Sequence, residues 1–247
     1  MSQISYDGLP FPVREDIVAA ERRAWRRLAG AGTWWTGAER LAIAAEARNA
    51  AGCPLCRAKK EALSPHAVAG EHAGLGVLPT VLVEAIHAIR TDPGRLTRDW
   101  YDGILSQGLA EENYVELVGV VVTTVLIDTF ARGLGAPPPA LPDAIDGVPG
   151  CHRPTGAKRN HHWVATLAPE DVGAADPDPY SGNPRAANIH RAMSLVPEEV
   201  IGFFDLAGAH YLTGAQMQDL GNEPRAIDRA QIELVAGRVS ALNQCVY

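Results

Sequence analysis

Two cysteines lie three residues apart in the segment AAGCPLCRAKK, a spacing that supports redox chemistry or metal binding in a chain that is not a disulfide scaffold. Pro54 directly follows Cys53, and because proline is favoured at the first helical position, we predict that a new helix begins there. Cys56 then lies in the first turn, where unpaired N–H groups and the helix dipole stabilise a thiolate. Lys60 lies on the same helix face and adds positive charge. The pattern predicts a dithiol in which one sulfur attacks a peroxide or disulfide and the other resolves the product.

The same cysteines could instead be inert buried thiols or half of a zinc site. A zinc site usually needs a second ligand pair, for which the nearest candidates are His66 and His72. The more distant candidates are Cys151, His152, His161 and His162. Glu84 and His87 have the Glu-x-x-His spacing of di-iron bundles, but the sequence has no second copy, so we interpret His87 as a structural or surface histidine. We predict neither a metal nor a cofactor.

The elements that must position these residues are helical almost throughout, so the predicted fold class is all-α. Apolar spacing and end signals predict helices at residues 13–29, 37–51, 79–90, 95–106 and 111–134, with a short helix after the Cys-x-x-Cys that stops before Pro65. A Thr-x-x-Glu capping box, Thr36 with Glu39, opens the second of them. Helix is predicted to resume at 188–196 and 198–212, and to return after a polar loop from Asp228 onward.

The chain shows signs of a tandem repeat. Thr36 with Glu39 is matched by Asp228 with Gln231, and in both cases a cysteine follows the capping residue by 17 positions. Between the two units, ten prolines and no sustained periodicity predict a linker that runs over the surface. The predicted organisation is a helical unit, a proline-rich linker and a partial second unit, at residues 1–135, 136–187 and 188–247 respectively.

Composition and charge argue against two classes of partner, nucleic acids and membranes. The net charge is −7, with 22 basic and 29 acidic residues, which argues against nucleic-acid binding. The first residues show no secretory signal pattern. The most apolar run, residues 115–130, is shorter than the ~20 residues that a membrane span needs, so we predict a buried core helix. These features predict a cytoplasmic protein that binds neither nucleic acid nor membrane.

The Cys-x-x-Cys and its preceding helix resemble the alkylhydroperoxidase (AhpD-like) and carboxymuconolactone decarboxylase superfamily, whose motif is Glu, eleven residues, Cys-x-x-Cys, three residues, His. The resemblance covers most of the chain apart from the linker. It implies an AhpD-like helical bundle that assembles as a homo-oligomer. It also implies that Cys56 attacks peroxide, that Cys53 resolves, and that a Glu and a His assist proton transfer.

The match to this motif is divided between the two units. In the first, Leu41 stands at the Glu position and Lys60 at the His position. Glu46 lies seven residues before Cys53, roughly on the same helix face, and could substitute as proton shuttle, but the favoured interpretation is an exposed helix glutamate. In the second, Glu233 stands twelve residues before Cys245 and fits the family pattern.

The second unit stops at Tyr247, one residue before its Cys-x-x-Cys would be complete. Three hypotheses account for this: a degenerate repeat that only packs, a truncated reading frame or fragment, or a selenocysteine codon after Tyr247 read as stop. The last follows from the resemblance, since some members of the superfamily carry selenocysteine in this motif.

The function expected from the sequence is a thiol-dependent peroxidase or dithiol–disulfide oxidoreductase, a peroxiredoxin-like antioxidant enzyme. Its partners would be a small-molecule peroxide and a dithiol reductant. Two alternatives stay open. One is a helical scaffold of the same fold without redox turnover. The other is a cofactor-free decarboxylase or isomerase using acid–base or carboxylate-binding groups such as His87, His190, His210 and Arg191.

Overall fold

The structure is a computed structural model that describes residues 4–243. Over that range the chain forms ten α-helices and no β-strand, with one isolated antiparallel bridge between Lys158 and Thr166. The helices are α1 (Glu15–Ala29), α2 (Gly37–Ala50), α3 (Pro54–Glu61), α4 (Thr80–Thr91), α5 (Arg98–Ser106), α6 (Glu111–Gly133), α7 (Asn188–Arg191), α8 (Pro197–His210), α9 (Gly214–Gln218) and α10 (Arg229–Leu242). The all-α class predicted from the sequence is therefore confirmed.

Several helix ends form where the sequence predicts them. Thr36 and Glu39 make the reciprocal capping box at the start of α2, and Asp228 makes one with Gln231 at the start of α10. Pro54 occupies the first turn of α3, with Cys53 as the extended residue that precedes it. The break between α2 and α3 therefore fixes the positions from which both cysteine side chains project.

The long helix α6 is the centre of the bundle. Its buried side includes Leu117, Val120 and Ile127, and it packs against α2, α4 and α8. By length and apolarity α6 could cross a membrane, but 67% of its most apolar window is buried inside the fold. This burial agrees with the expectation of a core helix.

The proline-rich segment runs across α1 and α2 without forming long helices. The backbone N–H of Ile145 donates to the carbonyl of Ala29 at 2.8 Å, and that of Cys151 donates to Thr33 at 2.7 Å. The Trp25 indole N–H donates to the carbonyl of Ala140 at 2.9 Å. These bonds hold the segment against the first helices.

A buried ion cluster joins residues that are far apart in sequence. Arg40 on α2 is 1% exposed and contacts Glu116 on α6 as well as Glu199 on α8, the latter at 3.0 Å. Arg27 on α1 also pairs with Glu199, at 2.8 Å. Gly119 is needed here, because a Cβ at this position would lie 2.2 Å from Glu199 Oε2. The cluster therefore ties α1, α2, α6 and α8 together.

Two local predictions differ from the structure. The helix expected at 188–196 is only the single turn α7, after which the chain continues as turns to Pro197. The polar loop expected before Asp228 contains the short helix α9, which opens with a capping box formed by Thr213 and Gln216. Both are short elements with too little periodicity to be recognised from apolar spacing.

Candidate functional site

The candidate site lies at the break between α2 and α3. Cys53 and Cys56 are both buried and both free thiols. The side chain of Cys56 projects from the first turn of α3, as its spacing after Pro54 predicts. The two sulfur atoms therefore sit at the positive end of a helix, where a thiolate is stabilised.

Two histidines converge on the sulfur of Cys56. His72 Nδ1 and His87 Nδ1 each lie 3.3 Å from Cys56 Sγ. His72 Nδ1 also lies 3.6 Å from Cys53 Sγ. With both Nδ1 atoms protonated, each imidazole donates a hydrogen bond to a Cys56 thiolate, so the negative charge is held from two sides.

A carboxylate holds the far side of each imidazole. His87 Nε2 lies 2.9 Å from Glu46 Oε1, and His72 Nε2 lies 2.8 Å from Glu84 Oε2. The Trp100 indole N–H donates to the other oxygen of Glu84 at 3.2 Å. The site therefore contains two hydrogen-bonded relays, each of which runs from a carboxylate through an imidazole to the sulfur of Cys56.

The loop that carries His72 is fastened to α2. The Asn49 side-chain amide donates to the carbonyl of Ala73 at 2.5 Å, and to Glu46 Oε1 at 2.8 Å. The backbone N–H of Leu75 donates to Glu46 Oε2 at 3.0 Å. Glu46 thus binds both the helix-borne His87 and the loop beside His72, so one carboxylate positions both imidazoles.

These contacts change the acidity of Cys56. Burial alone would raise the pKa of this thiol, but the hydrogen bonds from His72 and His87 outweigh burial and lower the pKa to about 6. The pKa of Cys53 is also lowered, because backbone N–H groups and the two imidazoles outweigh its burial. At neutral pH Cys56 is predominantly a thiolate.

The histidines shift in the opposite direction. Burial opposes the charged imidazole, yet the hydrogen bonds to Cys56 and Glu84 raise the pKa of His72 to about 10. The pKa of His87 is raised as well, through Cys56 and Glu46. The hydrogen bond from His72 lowers the pKa of Glu84 to about 2, although burial opposes this. Between about pH 6 and pH 10, Cys56 and His72 therefore form a thiolate–imidazolium ion pair.

A cavity of about 200 Å³ reaches this ion pair from the surface. Cys56, His72 and Glu84 line it, together with Lys59 and Arg95, which pair with Glu84 at 3.6 Å and with Asp92 at 2.6 Å respectively. Cys53 does not line this cavity, but it lines a second one together with Cys56. Cys56 is therefore the sulfur that both cavities share.

The structure brings some of the predicted site residues together and not others. Cys53, Cys56 and Glu46 share one cluster. Lys60 Nζ donates instead to the carbonyl of Thr91 at 3.1 Å, and the positive charge beside the sulfur comes from the imidazoles. Glu233 is bound by Tyr211 and Arg229 on the surface, at 2.8 and 2.7 Å. Cys245 lies outside the described residues.

The largest difference from the sequence analysis concerns the histidines. His87, interpreted as structural, is fully buried between Glu46 and Cys56. Glu46 is itself 0% exposed, so the favoured interpretation as an exposed helix glutamate was wrong. Lys60 stands where the motif has a histidine, and the imidazoles beside Cys56 come instead from His87 on α4 and His72 in the loop before it. The sequence feature that could have located them is Glu84-x-x-His87. Glu84 binds His72, and His87 binds Cys56.

His66 lines the same cavity as Cys56, but three other histidines considered from sequence lie elsewhere. His190 stacks on Phe204 with ring centroids 4.1 Å apart, and His210 lies 3.3 Å from Glu21. His152 pairs with Asp176 at 2.7 Å. None of these contacts brings a histidine to the two cysteines.

Comparisons with protein-family models, curated proteins and solved structures found no match to this chain. The interpretation of the site therefore depends on its own geometry.

Proposed function

We propose that the protein is a dithiol oxidoreductase that reduces a small peroxide, with Cys56 as the attacking thiolate and Cys53 as the resolving thiol. The observation that carries this proposal is the placement of two imidazole Nδ1 atoms at 3.3 Å from Cys56 Sγ, with Cys53 within reach of the same His72. An inert buried thiol needs no such pair of charged partners.

The reaction has two balanced steps. The Cys56 thiolate attacks one peroxide oxygen, the O–O bond breaks, and the leaving alkoxide takes a proton from His72 to become an alcohol. Cys56 is then a sulfenic acid. The Cys53 sulfur attacks the Cys56 sulfur, forms the S–S bond and expels the sulfenic oxygen as water. An external dithiol then reduces the disulfide and returns both thiols.

The carboxylates act through the imidazoles. Glu84 stabilises the charged form of His72, and Glu46 does the same for His87, so both rings can donate to developing negative charge. Lys59 and Arg95 line the same cavity, but each is paired with a carboxylate of that lining, Glu84 and Asp92 respectively, so the wall selects for no particular substrate charge.

The direct test is a thiol titration before and after one equivalent of hydrogen peroxide, with mass mapping of the product. We expect two thiols to disappear per peroxide and one Cys53–Cys56 disulfide to form, with Cys151 still free. Thiols that stay unreacted would favour the scaffold alternative. Oxidation confined to Cys151, which is exposed, would also contradict the proposal.

Reactivity should follow the acidity of Cys56. In reduced, metal-free protein we expect the rate of alkylation of Cys56 to rise with pH through about 6 and then level off, because its pKa is lowered to that value from the ordinary 9. At pH 7 about nine-tenths of such a thiol is ionised, against about one-hundredth of an ordinary one. His72→Gln should move the inflection to higher pH and slow alkylation at pH 7.

The matched control is His152→Gln, which removes a surface histidine and should leave the inflection in place. Mass mapping of alkylation at each pH separates Cys56 from Cys151. An inflection near 9 in the wild type would show that the imidazoles do not stabilise the thiolate.

A further inference from the structure

Four possible metal ligands converge at the site. The two sulfur atoms of Cys53 and Cys56 and the Nδ1 atoms of His72 and His87 all lie within 4.8 Å of one another. The donor types are those of a Cys₂His₂ zinc site, although the two histidines are farther apart in sequence than in zinc fingers. The second ligand pair, for which the sequence offers His66 and His72 as the nearest candidates, is His72 and His87 in the structure.

Three of the four sulfur–nitrogen distances are close to those of a tetrahedral zinc site. With Zn–S bonds of ~2.3 Å and Zn–N bonds of ~2.0 Å, a regular tetrahedron places sulfur and nitrogen ligands ~3.5 Å apart. Cys56 Sγ lies 3.3 Å from both Nδ1 atoms, and Cys53 Sγ lies 3.6 Å from that of His72. Because all four ligand atoms lie within 4.8 Å of one another, side-chain adjustment alone would bring them to zinc-binding distance.

The surroundings hold the ligands in the required orientation. Zinc-binding histidines usually donate their second ring N–H to a carboxylate or carbonyl, which fixes the ring and its tautomer. Here Glu84 and Glu46 accept from the Nε2 atoms of His72 and His87, so both Nδ1 atoms point toward the sulfurs. Glu46 is in turn held by Asn49.

The site is also enclosed but accessible. Cys53, Cys56 and His87 are buried, and the side chain of His72 is 7% exposed. The cavity that ends at Cys56 and His72 offers an ion a route from solvent. Two soft thiolates with two imidazoles select zinc over magnesium or calcium, which prefer oxygen ligands.

We propose that Cys53, Cys56, His72 and His87 form a tetrahedral zinc-binding site. Zinc takes the place of the protons on the two Nδ1 atoms and of any proton on sulfur, so binding releases protons to solvent. The site is thus not only a redox dithiol but also a metal site, whether or not the protein turns over peroxide.

A regulatory consequence rests on the proposed function. Zinc accepts one lone pair from each sulfur and withdraws charge from both, which lowers their nucleophilicity toward peroxide. The zinc-bound form is therefore the protected, slowly oxidised form, and formation of the Cys53–Cys56 disulfide removes two of the four ligands and releases the ion. Chelation of zinc should accelerate peroxide-dependent disulfide formation.

The test uses the full chain, reduced and stripped with a chelator, then titrated with Zn²⁺ in competition with a chromophoric chelator. We expect one tightly bound zinc per chain by elemental analysis. Co²⁺ in its place should give the visible bands of tetrahedral cobalt together with thiolate-to-metal charge transfer. Cys53→Ser and His72→Gln should each lose this spectrum, whereas Cys151→Ser should retain both stoichiometry and spectrum.

Glu46→Gln tests the outer carboxylate. It retains all four ligands, so we expect zinc binding with an affinity lowered by about 10- to 100-fold. Circular dichroism on each variant checks that the helices persist. If a variant fails to fold, the wild type alone still decides: bound zinc should protect Cys53 and Cys56, but not Cys151, from alkylation in mass mapping.

The proposal is overturned if the stripped wild type binds less than stoichiometric zinc, or if Cys53→Ser binds as tightly as wild type. These results are independent of the redox test. Peroxide could form the disulfide in a protein that binds no zinc, and zinc could bind stoichiometrically to a protein whose thiols ignore peroxide.

Discussion

Cys56→Ser should abolish peroxide-dependent turnover, with a loss of roughly 10³-fold or more, as expected when the nucleophile of a catalytic unit is removed. The serine hydroxyl stays protonated at neutral pH and has no comparable reactivity toward an O–O bond. The imidazoles of His72 and His87 would remain, but they would face an oxygen that cannot carry the charge. The measurement is peroxide consumption by metal-free protein in the presence of a dithiol reductant.

Two variants make this result specific. Cys53→Ser should still undergo the first oxidation but stop at the sulfenic acid of Cys56, which a sulfenic-acid-specific reagent would trap. Cys151→Ser should behave as wild type, because this cysteine is exposed and outside the cluster. Wild-type rates in Cys56→Ser would contradict the proposed role. If the sulfenic acid forms on Cys53 instead, then Cys53 is the attacking cysteine and Cys56 the resolving one.

Arg40→Met should cost about 3–5 kcal/mol of unfolding free energy, the usual penalty for breaking a buried ion pair from one side. Arg40 is 1% exposed and lies between the buried carboxylates of Glu116 and Glu199. Burial already raises the pKa of Glu116 against the attraction of Arg40. Without the guanidinium, Arg27 is left as the partner of Glu199, and Glu116 must be protonated or remain unpaired.

The matched control is Arg23→Met. Arg23 pairs with Asp205 between the same helices, α1 and α8, but both side chains are about half exposed at 51% and 44%. Exposed pairs of this kind contribute under about 1 kcal/mol. Chemical denaturation of both variants, analysed with a common slope, gives the comparison. Equal losses in the two variants would mean that burial of the cluster does not set its energetic importance.

The positions of the cysteines could be predicted from the sequence because they depend on local rules. Proline after Cys53 requires a break and permits a helix start, so the first-turn location of Cys56 follows from chain stereochemistry alone. The same holds for the capping boxes at Thr36 and Asp228, which need only residues three positions apart.

The imidazoles could not be located in this way. His72 lies in a loop whose course is set by hydrogen bonds to Asn49 and Glu46 on another element. His87 lies on α4, and its contact with Cys56 depends on how α3 and α4 pack, which no local pattern encodes. Spacing relative to the cysteines therefore predicted Lys60 as the charged neighbour of the sulfurs, although its side chain donates to the Thr91 carbonyl.

Glu46 shows a related limit. α2 is rich in alanine and is covered from more than one side, so apolar periodicity does not separate its buried face from its exposed face. A glutamate in such a helix is predicted to face solvent unless its hydrogen-bond partners are known. Its burial beside His87 becomes evident only once α4 is in place.

The partnership of Arg40 with Glu199 also affects the order of events during synthesis. The two residues are 159 positions apart, so α1, α2 and α6 leave the ribosome well before the carboxylate of α8 exists. Until then Arg40 has only Glu116 as a carboxylate partner, and Arg27 lacks Glu199. Because burying this excess positive charge is costly, the region must stay hydrated, and it can close only when α8 arrives. A chain that stops before α8 would have its helices but not its closed interior.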